Sequence, residues 1–336
     1  MALLPVTPDR AAIAEKRIRS VLRENVIVTA RTLEQKISDA GPGQMRVDPH
    51  ILSAARNKLM EQGVVSRLKL RDTPWFHLAS SAQPALEAKL ALVQPVHDQM
   101  MRRDFLLRMG QTLEIAVFRA LVGEGRQLHT LGSYTDLDQH DDSMLYTKEE
   151  PPSSISGHNS PGKLDFVVMG AGSAMAGIEV KNIREWIYPN RKEIMYMLEK
   201  CTALDIIPVL IARRIPYVTF KLLNACGAIV HQTYNQLFPE ADGELAAKVR
   251  DKGLLGYHDV RTGNAPDARM LKFINTNLPG LIVSRRPVFD EFKDLLSAFG
   301  TGQMVYAEFA ARVRRRVRGT TEDHDWPDGD KDSGYY

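Results

Sequence analysis

Two short apolar segments carry charged residues whose types and spacing fit metal-ion chemistry. Asp165 lies in Lys163–Met169 (KLDFVVM), and Glu179 and Lys181 end Ala176–Lys181 (AGIEVK). Residues two apart in a strand share a face, so Glu179 and Lys181 point to one side, and a hairpin sets Asp165 beside them. Mg²⁺ prefers such carboxylate oxygens. Cleavage of a phosphodiester needs a cation, an activated water and a fixed positive charge, so this pattern predicts a phosphodiesterase site.

The same pattern has a plainer interpretation, because an Asp followed by Glu-x-Lys also occurs by chance. In that case the segments form a surface hairpin with an ordinary cross-strand ion pair. The context favours a site, because charges within apolar strands are costly unless they are paired or bound to metal. A glycine-containing turn, Gly170–Ser173, joins the strands, and a helical segment upstream carries a further acid, Glu114.

The elements around the hairpin predict an α/β fold. A helix at 111–125 precedes a polar stretch from Asp136 to Gly162, which we interpret as a long mobile loop. After the hairpin come a helix at 191–204, an apolar strand at 205–212, a helix at 216–226 and a strand at 227–230. This alternation predicts a mixed sheet flanked by helices.

The hairpin and its neighbours resemble the PD-(D/E)xK nuclease superfamily, whose restriction-endonuclease-like core contains such a hairpin. The resemblance covers about residues 105–232. It implies that Asp165 and Glu179 ligate metal and that Lys181 positions water or stabilises charge. The backbone carbonyl of Val180 and the carboxylate of Glu114 would be further ligands. The chain departs from the family pattern at Leu164, where the first acid is usually preceded by proline.

The function that the resemblance implies is a Mg²⁺-dependent DNA endonuclease, in which Mn²⁺ can substitute. Duplex DNA would be the substrate, and cutting both strands needs two sites, so a homodimer is expected. Genome defence in prokaryotes and DNA processing are among the family's uses. Two other classes stay open: a DNA-binding regulator with an inactive nuclease fold, and an interaction protein.

The first 80 residues predict three helices followed by a hairpin. Helices are expected at 11–24, from Thr32 in a capping box through Ile37, and from Pro49 to about residue 62, and the hairpin at 64–78. Gly41–Gly43 would separate the second and third helices. This order resembles the winged-helix domain, in which the third helix enters the major groove and the hairpin is the wing.

The predicted third helix and the hairpin offer a set of polar and basic residues to DNA. Residues 1–110 carry more Lys and Arg than Asp and Glu, as phosphate contacts require. Winged helices also serve as protein-binding modules, so a protein partner, bound through this domain or through the C-terminal tail, stays an alternative. The candidates on the third helix are His50, Arg56, Asn57 and Lys58, and those on the hairpin are Arg67, Lys69 and Arg71.

Solvation is the preferred explanation for the other polar and charged residues, except that the arginines at 312–318 could equally bind phosphate or pack their stems on apolar surface. Asp136, Asp138, Asp141 and Asp142 form an acidic group in the loop, and we expect solvated side chains rather than a metal site. Further candidates for phosphate contact are Asn182, Arg184, Tyr188, Lys192, Lys200, Arg213, Arg214, Arg312, Arg314, Arg315, Arg316 and Arg318.

The resulting domain organisation is a winged helix at 1–80, a helical connector at 81–109, a nuclease domain at 110–318 with a helical C-terminal part, and a disordered acidic tail at 319–336. The apolar runs are too short to span a bilayer. The two cysteines, Cys201 and Cys226, lack metal-site spacing and favour a reducing cytoplasm.

Overall fold

The computed structural model describes residues 7–39, 47–138 and 140–320. The chain divides into two compact units. The first, the N-terminal unit, is formed by residues up to Leu106 together with Asp242–Val260. The second, the sheet unit, is formed by Leu107–Ala241 and by residues from Arg261 onwards. The predicted Gly41–Gly43 break and most of the predicted acidic tail lie outside the described residues.

Helices and strands are mixed along the chain. Up to residue 134 they are α1 Pro8–Asn25, β1 Ile27–Thr29, α2 Ala30–Leu33, α3 Pro49–Glu61, β2 Val65–Leu70, β3 Thr73–Leu78, α4 Gln83–Met100, α5 Arg103–Val122, β4 His129–Leu131 and β5 Ser133–Tyr134. They continue with β6 Lys148–Glu149, β7 Ser154–Ile155, β8 His158–Asn159, β9 Phe166–Met169, β10 Met175–Lys181, α6 Lys192–Ala203, β11 Ile207–Ala212, α7 Tyr217–Ala225, β12 Ile229–Gln232, β13 Gln236–Phe238, α8 Gly243–Arg250, β14 Val260–Thr262, α9 Ala268–Lys272, α10 Leu278–Gly300 and α11 Tyr306–Val317.

The N-terminal unit contains the three predicted helices and the predicted hairpin. One side of α1 buries Ile18 and Leu22 against Ile51 of α3 and Phe76 of β3, as the helical spacing of these residues requires. The hairpin strands β2 and β3 pair from Val65↔Leu78 to Leu70↔Thr73. The apolar stretch after α1 is a third strand, β1, which pairs with β3 and not with β2.

The second helix begins differently from the sequence prediction. Its N-cap is Thr29, whose side chain accepts a hydrogen bond from the backbone N–H of Thr32. The predicted capping box at Thr32 is therefore wrong. Gln35, the expected second member of that box, instead bonds the ring of His258 with its side-chain amide. Only the folded chain brings together two residues so far apart in sequence.

The sheet unit is built on a mixed five-stranded sheet, so the predicted α/β class holds at this level. The strand order is β12-β11-β10-β9-β4. Strands β10, β11 and β12 are parallel, whereas β9 runs antiparallel to both β10 and β4. Strand β11, which lies between β10 and β12, is buried along its whole length, which explains why its sequence is apolar without alternation. No helix in the described part of the chain is both long and apolar enough to cross a membrane.

The stretch predicted as a loop, Asp136–Gly162, has more structure than the sequence suggested. Strand β5 pairs with β6 through Ser133↔Glu149 and Tyr134↔Lys148, and β7 pairs with β8. Asp142, expected to be solvated, is buried and accepts hydrogen bonds from Tyr146 and Asn264. Most of the stretch is exposed, which accounts for its polar composition, and its buried polar members Asp142 and Tyr146 form hydrogen bonds within the unit.

Candidate active site

Asp165 and Glu179 lie beside each other because of the register of β9 and β10. Phe166 pairs with Ile178, and the backbone N–H of Asp165 donates to the carbonyl of Ile178 at 3.1 Å. Asp165 Oδ2 in turn accepts the backbone N–H of Val180 at 2.7 Å. The Asp165 carboxylate is thus held on the strand that carries Glu179, as the hairpin prediction required.

Glu179 is the most deeply buried acid of this group, with 5% of its side chain exposed. Its Oε2 atom accepts from Lys181 Nζ at 2.7 Å, and its Oε1 atom pairs with Lys200 Nζ of α6. Lys181 Nζ also lies 3.8 Å from Asp165 Oδ2. One lysine therefore contacts both strand carboxylates, and a second neutralises the remaining oxygen of Glu179.

The third acid, Glu114, reaches the same place from α5. Its Oε2 atom accepts from the Tyr134 hydroxyl at 2.6 Å and from Lys148 Nζ at 2.8 Å. Lys148 Nζ also donates to Asp165 Oδ1 at 3.2 Å. Glu114 is thereby linked to Asp165 through the ammonium group of Lys148.

Six residues form what we call the carboxylate–lysine cluster: Glu114, Lys148, Asp165, Glu179, Lys181 and Lys200. Three carboxylates and three ammonium groups balance in charge. Buried charges are tolerated when each has opposite charges and hydrogen bonds around it. The cluster is a polar core at the end of the hairpin, and not the exposed ion pair of the plainer interpretation.

The electrostatics of the cluster follow from burial and from its opposite charges. Burial raises the pKa of the Glu114 carboxyl, and Asp165 raises it further, against the opposing effect of Lys148. Burial lowers the pKa of Lys148 and of Lys181, but the neighbouring carboxylates outweigh it, so both pKa values are raised. Both lysines therefore stay charged at neutral pH.

The donor set suits a hard cation in its chemistry. Glu114 and Asp165 share one cation, the Lys148 ammonium, and Asp165 and Glu179 share another, that of Lys181. Carboxylate oxygens, which contact these ammonium groups, are also the ligands that Mg²⁺ prefers. Among the described residues, no three His, Cys, Asp or Glu side chains form a ready metal-binding group. Lysine ammonium groups lie between the carboxylates instead.

Two residues that contact Glu114, namely Lys148 and Tyr134, were not singled out from the sequence. They lie opposite each other on the β5–β6 ribbon, within or beside the stretch predicted as a loop. A lysine next to two glutamates in a polar segment carries no local sign of burial. Lys200 was considered from the sequence, with solvation as the preferred explanation, and the structure shows it largely buried against Glu179.

Several candidates for phosphate contact have structural roles instead. Asn182 is buried and donates to the carbonyls of Met109 and Leu237, both at 2.6 Å, and accepts from the Leu237 N–H. Arg184 and Arg213 are also buried, and Arg213 donates to the carbonyl of Arg184. Solvation, the expected alternative for these residues, is therefore wrong.

Two of the candidate arginines at 312–318 form ion pairs within the sheet unit, whereas Arg318 is exposed. Arg316 donates to Asp294 at 2.6 and 2.8 Å, and Arg312 pairs with Glu308. Lys192, by contrast, is exposed at the start of α6. Of Arg312, Arg316 and Lys192, only Lys192 points freely to solvent.

The candidate DNA-contacting residues of the N-terminal unit differ in exposure. Arg67, Lys69 and Arg71 of the hairpin, and Asn57 and Lys58 of α3, are exposed, as the prediction required. His50 is half-buried. Arg56 lies with its guanidinium 4.5 Å above the ring of Phe76, and its Nε is buried.

Some of the exposed basic residues have acidic neighbours in the same unit. Lys58 pairs with Glu15 at 2.7 Å, and Arg71 lies 3.1 Å from Asp98. Exposed pairs of this kind are weak, and another anion can replace the carboxylate. Lys69 lies 3.8 Å from Asp72, so Arg67 is the most freely available positive charge among the candidates.

Neither the family models, nor the curated proteins, nor the solved structures with which the chain was compared gave a match. Function is therefore inferred from the geometry of the cluster and from the residues that form it.

Proposed function

We propose that the protein is a metal-dependent DNA endonuclease of the PD-(D/E)xK type. The observation that supports this most strongly is the convergence of Asp165, Glu179 and Lys181 on two adjacent antiparallel strands, with Glu114 joined to them from a helix. Buried acids held at one point by a rigid sheet are the arrangement that phosphodiester chemistry needs.

Each residue has a role that follows from its contacts. Glu114, Asp165 and Glu179 would hold a divalent cation, with the carbonyl of Val180 as a further ligand. Bound there, Mg²⁺ would act as a Lewis acid on the scissile phosphate. Lys181, whose raised pKa keeps it charged, would orient the attacking water or stabilise the negative charge that develops on the phosphate.

The N-terminal unit supports duplex DNA as the substrate. Its three helices followed by a hairpin, with β1 added as a third strand, agree with a winged helix. The exposed Arg67 and Lys69 would contact backbone phosphates from the hairpin, and Asn57 would face a groove from α3. A homodimer would supply the two sites that cutting both strands needs.

The test is cleavage of supercoiled and linear duplex DNA with Mg²⁺, with EDTA, and with the variant Lys181→Ala. We expect cutting that depends on the metal and that falls at least about a hundredfold in the variant, since loss of one fixed charge at a reacting phosphate has an effect of that order. Lys221→Ala is the matched control, because Lys221 is an exposed lysine of the same unit.

Two results would count against the proposal. If the wild-type protein binds DNA but never cuts it, the nuclease assignment fails, and a DNA-binding regulator with an inactive nuclease fold becomes the favoured function. If it neither cuts nor binds DNA at any salt concentration, the nucleic-acid assignment fails altogether, because phosphate contacts always produce salt-dependent binding.

A further inference from the structure

Lys148 occupies the place where a cation would satisfy two of the three acids. Its Nζ lies 2.8 Å from Glu114 Oε2 and 3.2 Å from Asp165 Oδ1, and only 14% of its side chain is exposed. It also lies 3.9 Å from Glu150 Oε2. The ammonium group is therefore surrounded by carboxylate oxygens in the way that a bound cation would be.

The position of Lys148 is built into the fold. Strand β6 pairs Lys148 with Tyr134 of β5, and both side chains bond the same Glu114 oxygen. The ribbon is fastened to the helix that carries Glu114 by two hydrogen bonds, from Gln111 Nε2 to the Tyr146 carbonyl at 3.0 Å and from the Tyr146 N–H to Gln111 Oε1 at 2.9 Å. The backbone thus fixes the position of Lys148 next to these acids, whereas its long side chain can change conformation.

We propose that the Lys148 ammonium is a resident counter-cation of Glu114 and Asp165, which a divalent cation must displace in order to bind there. The inference rests on the proposed function, because it concerns the metal of the same site. A divalent cation bound to the Glu114 and Asp165 oxygens that Lys148 contacts would lie close to the ammonium group, and two positive charges at close range repel strongly in a poorly solvated place. Metal binding and the Lys148 contact therefore oppose each other, and each weakens the other by the same factor.

This competition would keep the acids neutralised and the unit folded without metal. Removal of Lys148 would leave Glu114 and Asp165 close together with less positive charge between them. Such a site is less stable when empty and binds a divalent cation more tightly, because the cation then relieves the repulsion. The proposal thus predicts opposite effects of one substitution on stability and on metal affinity.

The experiment measures Mn²⁺ binding by electron paramagnetic resonance and by calorimetry, with the melting temperature followed in parallel. We expect Lys148→Met to melt at a lower temperature than the wild type without metal, to bind Mn²⁺ about tenfold more tightly, and to gain more stability from it. Lys148→Arg, which keeps the charge, and Lys221→Met, an exposed lysine of α7, should bind Mn²⁺ like the wild type.

A second measurement needs no variant. Acetylation of lysines by a water-soluble reagent, read by mass spectrometry, should modify Lys148 faster when Mn²⁺ is present, because the displaced amine becomes accessible. Unchanged or slower modification of Lys148 under Mn²⁺ would overturn the inference even if Lys148→Met fails to fold.

The outcomes separate this inference from the proposed function. If the wild type binds Mn²⁺ but Lys148→Met binds it no more tightly, only the displacement of Lys148 is refuted. If neither protein binds Mn²⁺, the metal-dependent function and the inference fail together.

Discussion

The carboxylate–lysine cluster of the sheet unit and the basic hairpin of the N-terminal unit both carry positively charged side chains, but in different surroundings. In the cluster, Lys181 and Lys200 contact a glutamate that is almost fully buried. On the hairpin, Arg67 and Lys69 are exposed. The difference teaches that a charge contributes to stability according to its burial and its partners, and not according to its type.

The largest expected effect is that of Glu179→Ala. The substitution leaves Lys181 and Lys200 without their main partner in a poorly solvated place, so the free energy of unfolding of the metal-free protein should fall by about 3 kcal/mol or more. Urea denaturation measures it. The control is Glu193→Ala, which breaks the more exposed Arg191 pair and should cost less than about 1 kcal/mol. Equal losses in the two variants would remove the contrast between buried and exposed pairs.

The next largest effect is expected for Asn182→Ala, whose free energy of unfolding should fall by about 2 kcal/mol. The substitution leaves the Met109 and Leu237 carbonyls and the Leu237 N–H without their bonds to Asn182. Asn224→Ala is the control, because Asn224 makes one exposed bond within α7. If Asn182→Ala kept full stability and reduced only DNA affinity, the phosphate-contact interpretation from the sequence would be restored.

Arg56→Ala should have a smaller effect, about 1 kcal/mol. Its guanidinium packs over Phe76 and its Nε is buried, so packing against the unit explains its position. Asn57→Ala, on the exposed side of α3, should change the melting temperature little. Thermal melting of the two variants measures the difference. A larger loss of stability in Asn57→Ala than in Arg56→Ala would contradict the packing role of Arg56.

The smallest effect on stability is expected for Arg67, Lys69 and Arg71 all changed to Gln. The free energy of unfolding should stay within about 0.5 kcal/mol of wild type, because all three side chains are exposed. DNA affinity should fall. The slope of log K against log salt should flatten by roughly 0.9 for each phosphate that the variant no longer neutralises.

The control for the hairpin variant is Lys16→Gln with Arg23→Gln on α1, which removes exposed charge elsewhere in the unit. If the hairpin variant bound DNA as the wild type does, the hairpin would not be a DNA-binding wing, and the protein-partner alternative would gain.

Local patterns in the sequence predicted the elements that carry the strand residues of the site. Alternation of apolar residues and a glycine turn predicted the hairpin, and the two-residue period placed Glu179 and Lys181 on one face. Helical spacing predicted α1, α3 and the helix with Glu114. These features depend on neighbours a few residues apart, which is why a single sequence reveals them.

Tertiary structure alone decided which charges meet. Lys148 reaches Glu114 across 34 residues, and Lys200 reaches Glu179 across 21. The sequence predicts a solvated side chain or a phosphate contact for Asn182, because nothing near it in the chain shows that it joins two distant carbonyls. Residues 242–260 belong to the N-terminal unit although they follow the sheet in sequence.

The physical reason is that the periodicity of side chains shows which face of an element is buried, but not which partner covers it. Contacts between distant residues form when the chain closes loops of tens of residues. The entropic cost of closing a loop rises only slowly with its length, so many alternative pairings compete. The sequence pattern itself therefore determined the hairpin and its acids. The completed fold determined that Lys148 neutralises Glu114 and that Lys200 neutralises Oε1 of Glu179.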